Sequence, residues 1–266
     1  MSRPERLEIE VAGHLGHVFV SKGPAAGDAP RPAIVLVHGI GVSHRYLSRL
    51  HRVLADSADT YSIDLPGFGS TPRPDHTLSV PDQATYILGA LEQLGVLRFA
   101  LVGHSMGSQF AIDAALQQPE RITQLVLMGP VVDAKRRTVA QQALALGRDS
   151  LFFESPSSNR LVLTDYFRCG PTWYIKTLRV MMGYPTEERI TGVTAPVLVI
   201  RGANDPVASV DWCRRLAGRA ATGQLIEVKG TGHVVQHNRS QEVAEAILDF
   251  AGISQAAEDA PRVGRA

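Results

Sequence analysis

The feature that most constrains this 266-residue chain is a series of short apolar runs, each broken by a turn. They occupy residues 33–37, 61–65, 99–102, 125–128, 196–200 and 225–228, and each meets a glycine within two residues of its end. Unbroken Val/Ile/Leu runs of this length fit strands buried on both faces, as in a parallel sheet. Helical patterns lie between them. Ser79-Val-Pro-Asp82 is a capped start with proline in the first turn. Ile87, Leu88, Leu91 and Leu94 follow at helical spacing, and Gly95 stops the helix. Phe110, Ala111, Ala114 and Ala115 give a second helix ended by Pro119, and Val243, Ile247 and Phe250 a last one. Strand, helix, strand at this pitch predicts an α/β fold with a mostly parallel, doubly wound sheet. Ligands on such sheets sit beyond the carboxyl ends of the strands, where the glycine turns fall.

Two segments depart from this rhythm. Residues 7–10 and 17–20 predict an edge hairpin around a Gly13–Gly16 turn, followed by a Gly/Pro/Ala loop over 22–31. Residues 133–187 show no glycine-terminated strand but hold Phe152, Phe153, Tyr166, Phe167, Trp173, Tyr174 and Tyr184. This stretch is expected to be a mainly helical cap over the strand ends. Most of its aromatics would form its own core, with one or two facing a pocket. The predicted organisation is a core over 1–132 and 188–253, a cap over 133–187 and a disordered tail over 254–266.

Composition narrows the function classes. A net charge of +1 offers no electrostatic footprint for nucleic acid or an anionic membrane. Two cysteines, Cys169 and Cys213, exclude a disulfide framework and fit free thiols in a reducing compartment. The N-terminus lacks the apolar stretch of a signal peptide, and no apolar run approaches a membrane span. A soluble cytoplasmic protein is expected, a monomer or homodimer acting on a small molecule.

Gly103-His104-Ser105-Met106-Gly107 matches G-x-S-x-G between an apolar run and a helix. A serine on so sharp a strand-to-helix turn lifts its hydroxyl clear of the sheet, and small flanking residues let the helix pack close. A hydroxyl becomes a nucleophile when a base takes its proton. Among nine histidines, His233 lies on the loop between the last strand run and the last helix, at the same sheet edge as Ser105. His237 is a second candidate. The base needs an acid to hold its tautomer. Asp205 follows the run at 196–200, and Asp133, beyond the run at 125–128, is its rival. His38-Gly39-Ile40-Gly41 can turn backbone N–H groups towards the reacting carbon, with the amides of Ile40 and Met106 as oxyanion donors. Gly39, Phe152, Phe153, Trp173 and Val207 are candidate substrate contacts.

His38-Gly39, Asp64-Leu-Pro-Gly-Phe-Gly-Ser70, Gly103-His-Ser-Met-Gly107, Gly202-Ala-Asn-Asp205 and Gly232-His233 carry a resemblance to capped α/β-hydrolase-fold proteins of the esterase/lipase-like superfamily. The resemblance spans about residues 33–250 and implies Ser105 as nucleophile, Asp205 as acid and His233 as base, in the chain order this fold uses. It also implies that the 64–70 loop shapes the pocket. Haloalkane dehalogenases and epoxide hydrolases of the fold place aspartate where this chain has Ser105, so those reactions are disfavoured. No metal or organic cofactor is expected. The activity expected is hydrolysis of a mostly apolar carboxylic ester or lactone through an acyl-enzyme. C–C bond, thioester or amide hydrolysis is the alternative, and a non-catalytic small-molecule receptor a further one.

Overall fold

The computed structural model describes residues 3–24, 31–133, 135 and 138–253. The expected tail over 254–266 lies outside the described residues, as does most of the 22–31 loop. Eight strands form one sheet: β1 (Glu5–Val11), β2 (His14–Ser21), β3 (Ala33–Val37), β4 (Thr60–Asp64), β5 (Phe99–His104), β6 (Ile122–Met128), β7 (Val197–Gly202) and β8 (Gly223–Val228). Their order is β1-β2-β4-β3-β5-β6-β7-β8. Only the β1–β2 and β2–β4 pairs are antiparallel.

Alternate residues of the central strands feed opposite layers, which is why the runs are apolar throughout. Val35, Val37, Leu101, Leu125 and Leu127 pack into one core with Ile87, Phe110 and Trp212. Ile34, Leu36, Val102, Val126 and Met128 pack into the other with Leu47, Leu50, Leu54, Val243 and Ile247. The helices supplying the first layer are α2 (Val80–Gln93), α3 (Gly107–Gln117) and α8 (Val210–Arg219). Those supplying the second are α1 (His44–Ala55) and α10 (Ser240–Phe250). The Ser79–Asp82 capping box starts α2, and Gly95 at φ +70° ends it.

Between β6 and β7 the chain inserts α4 (Val139–Phe152), α5 (Pro156–Cys169), α6 (Pro171–Gly183) and the short α7 (Thr186–Arg189). The single turn α9 (Val235–Asn238) precedes α10. No helix among the described residues is long and apolar enough to cross a membrane. Cys169 and Cys213 are buried free thiols.

The hairpin differs from expectation. Its turn is Ala12-Gly13, whereas Gly16 lies inside β2 opposite Ile9. A Cβ at position 16 would strike the Tyr86 hydroxyl, which instead donates to the Ile9 carbonyl at 2.9 Å. Gly16 is small because a tyrosine crosses it.

Candidate active site

Ser105 sits where β5 turns into α3, at φ +55°, a left-handed conformation that costs a non-glycine residue on the order of 1–3 kcal/mol. Its neighbours impose this conformation. The Ser105 amide donates to the Met128 carbonyl at 2.9 Å, and its carbonyl accepts from the Ser108 amide at 3.0 Å. A Cβ at Gly103 would strike the Gly107 carbonyl, and one at Gly107 would strike the Val37 carbonyl. Both motif glycines are therefore required by close backbone approach.

His233 lies on the loop between β8 and α9, and its Nδ1 is 2.9 Å from Asp205 Oδ2. Asp205 follows β7, and its other oxygen accepts from the amides of Val207 (2.7 Å) and Ala208 (3.0 Å). Burial works to raise the Asp205 pKa, yet the His233 charge and these hydrogen bonds hold it below the ordinary value. Burial works to lower that of His233, but the Asp205 charge and hydrogen bond, with Asp149 and Glu154 further off, raise it to about 9. With Nδ1 held by a carboxylate, Nε2 is left to exchange a proton. That nitrogen is buried and has no hydrogen-bond partner. Gly129 makes room for the ring, since a Cβ there would lie 2.9 Å from His233 Cε1. Ser105 and His233 line one cavity of about 110 Å³ without a hydrogen bond between them.

Four residues to which sequence reasoning gave no role support the His233–Val234 backbone, Tyr46 doing so through His104. His104 Nε2 lies 2.9 Å from the His233 carbonyl, so it must be the protonated nitrogen. His104 Nδ1 then accepts from the Tyr46 hydroxyl at 2.5 Å, and that hydroxyl accepts from the Gly39 amide at 3.0 Å. Burial lowers the His104 pKa to about 3, which keeps the ring neutral in this role. From the insertion, Asp149 Oδ1 accepts from the His233 amide at 2.8 Å, and Glu154 Oε1 from the Val234 amide at 2.7 Å. Burial raises the Asp149 pKa to about 7 against the pull of His233. Gly232 lets α4 come this near, because a Cβ there would strike Asp149 Oδ1. The nearest sequence signal is that Asp149 and Glu154 bracket the Phe152-Phe153 pair.

The rival candidates are engaged elsewhere. Asp133 pairs with Arg215 at 2.6 Å and accepts from the Lys135 amide at 3.0 Å. His237 Nε2 is 3.0 Å from Ser157 Oγ, outside the cavity lining. Ile40 lines the cavity and Met106 follows Ser105 directly. Neither of their amides donates a hydrogen bond among the described residues.

The expected substrate contacts divide. Gly39 and Val207 line the cavity. Phe152 does not: it is 73% exposed, because Leu146, Asp149 and Ser150 take the inward side of α4 and a residue two beyond Ser150 points away. Phe153 packs over Gly232, behind the wall. Trp173 is buried against Gly67, whose missing Cβ admits the indole. The insertion's aromatic in the cavity is Tyr166. The 64–70 loop also contributes nothing to the lining. It supports the turn after β3 instead. Asp64 accepts from the His44 amide at 2.5 Å, the Leu65 amide donates to His38 Nε2 at 3.2 Å, and Phe68 packs edge-on against His38. Among the described residues no cluster of three or more His, Cys, Asp or Glu side chains is arranged to hold a metal ion.

Comparison with known proteins identifies the family and the fold. Residues 34–246 match the model of the alpha/beta hydrolase family. The uncharacterized hydrolase YugF of Bacillus subtilis (strain 168) is 25% identical, with 83% of this chain and 90% of that protein covered. A 2-hydroxy-6-oxononadienedioate/2-hydroxy-6-oxononatrienedioate hydrolase of Burkholderia vietnamiensis is 26% identical over 82% of this chain and 86% of its own. The enol-lactonase of Burkholderia xenovorans LB400 superposes with a TM-score of 0.78 at 19% identity, covering 92% of this chain and all (100%) of that one, a likeness of fold.

Proposed function

This chain belongs to the alpha/beta hydrolase family, and from that premise we propose that it is a serine hydrolase cleaving a mostly apolar carboxylic ester or lactone through an acyl-enzyme. The observation that carries this reading is one cavity lined by both Ser105, on its strained turn, and His233, on its Asp205 carboxylate. Ser105 Oγ attacks the acyl carbonyl carbon as its proton passes to His233 Nε2. The hydroxyl must first swing into hydrogen-bond reach, a step often left to substrate binding. Asp205 stabilises the imidazolium, and the Ile40 and Met106 amides receive the oxyanion. His233 then protonates the departing alkoxide. Water, deprotonated by the same nitrogen, attacks the acyl carbon and frees Ser105.

The cavity wall favours an ester over the substrate class of the Burkholderia vietnamiensis relative. A dioate substrate carries two carboxylates, which need cationic partners. Among the described residues the lining has no Lys or Arg and includes Asp149 and Glu154. It is otherwise mainly apolar, with Val42, Val131, Leu146, Val162 and Met181.

The test offers p-nitrophenyl butyrate and an aryl dienoate to the wild type and to Ser105→Ala. Ester turnover that disappears in the variant supports the reading. Faster cleavage of the dienoate, or ester turnover undiminished in the variant, overturns it.

A further inference from the structure

The cavity beside Ser105, at about 110 Å³, is small against the roughly 300–1,000 Å³ of ordinary ligand pockets. It holds the reacting ester and a few carbons. Its mouth is marked by Leu163, which lines the cavity and is yet 61% exposed. Outside that mouth lies a second hollow, of about 590 Å³, between α5 and α6. Leu146, Leu163 and Tyr166 line both spaces. The outer hollow adds Phe167, 92% exposed, and Ile175, 50% exposed, and no charged side chain lines it among the described residues. Exposed aliphatic and aromatic residues gathered at one place mark a binding surface. A surface continuous with a catalytic mouth has its occupant at hand in the rest of the substrate.

We propose that this outer groove is a subsite for an extended aliphatic chain, so that the substrate is an ester bearing a medium to long alkyl tail. The tail lies along Tyr166, Phe167 and Ile175 while the ester passes Leu163 to reach Ser105. The inference rests on the serine-hydrolase reading for the chemistry, and on the groove alone for the tail. The chain can belong to the acyl group or to the alcohol, since the groove sees only methylenes.

Two ester series separate these sources: p-nitrophenyl esters from butyrate to decanoate, and butyl to decyl butyrates, below their micelle concentrations. Full burial of a methylene is worth about fourfold, and a half-open groove about twofold per methylene. The expected result is kcat/KM rising about twofold per methylene in one series, with the decanoate-to-butyrate or decyl-to-butyl ratio collapsing in the folded double variant Phe167→Ser, Ile175→Ser. A flat or falling dependence in both series overturns the proposal. So does a rise that survives the double variant, or a double variant whose only change is oligomeric state, which would give the groove to a second copy of the chain. Binding to Ser105→Ala, read by calorimetry, decides the subsite without catalysis. Methyl decanoate over methyl butyrate, or decyl butyrate over butyl butyrate, should bind at least about tenfold tighter, and equal affinities within both pairs refute the subsite. Absence of turnover at every length would instead defeat the hydrolase reading and leave the binding arm to judge the groove.

Discussion

Asp149→Asn separates charge from geometry at the base. Asparagine keeps an oxygen to accept the His233 amide, a contact of 2.8 Å in the structure, but removes the negative charge. That charge is one of the groups that lift His233 to about 9, behind Asp205 and against burial. At an effective dielectric of about 20, two unit charges about 4 Å apart interact by about 4 kcal/mol, and a carboxylate beyond direct contact with the ring by less. Solvent at the cavity mouth reduces this, leaving about one pH unit. A base works only when unprotonated, so kcat/KM should rise with pH on a limb set by His233 and its coupled neighbour Asp149. In Asp149→Asn the limb should move about one unit towards acid, and activity near neutral pH should rise up to tenfold. The assay is kcat/KM for p-nitrophenyl butyrate from pH 6 to 10, read at the isosbestic wavelength of p-nitrophenol. Asp149→Ala, which also loses the hydrogen bond, should lower the plateau in addition. A limb that stays in place or moves to higher pH in Asp149→Asn refutes the electrostatic argument.

Asp205→Asn should lower kcat by about 10⁴ with little change in fold, because the imidazole then favours the wrong tautomer. Asp133→Asn should leave kcat within a fewfold, since that carboxylate serves Arg215; the opposite order in steady-state assays would reassign the acid. His51 is buried neutral between Ser62 and Ser21, its pKa lowered to about 4 by burial and then by His44. The unfolded chain takes that proton near pH 6.5, so the stability His51 confers is complete above 6.5 and is lost as pH falls towards 4. From pH 7 to 5 the loss is about 2 kcal/mol. His51→Gln should therefore show a smaller drop in urea midpoint over that interval than the wild type, and an equal drop would count against the linkage.

The frame was legible because its strands are buried on both faces. The sequence 33–37 could only be apolar once alternate residues fed two cores. Helices α1 and α8 were legible in the same way: Tyr46, Leu47, Leu50 and Leu54, and Trp212, Cys213, Leu216 and Ala217, form unbroken buried stripes at helical spacing, with arginines at 45, 49 and 52 and at 214, 215 and 219 outside them. Ser105, Asp205 and His233 stood out because turn chemistry and chain order are local signals. The insertion followed other rules. One or two of its aromatics were expected at the pocket, with Phe152, Phe153 and Trp173 as candidates, yet Phe152 points to solvent, Trp173 fills the space over Gly67, and Tyr166 lines the cavity. Which side of a helix faces a cavity depends on packing against distant glycines, and a single sequence does not display that. The Asp149 contact to His233 joins residues 84 positions apart and has no local signature.

The most direct measurement is active-site labelling with a fluorophosphonate, followed by tandem mass spectrometry and residual activity. One adduct per chain is expected, on Ser105, with ester turnover falling in proportion. Turnover that persists when Ser105 is fully labelled, or an adduct on another serine that accounts for the inactivation, would contradict it.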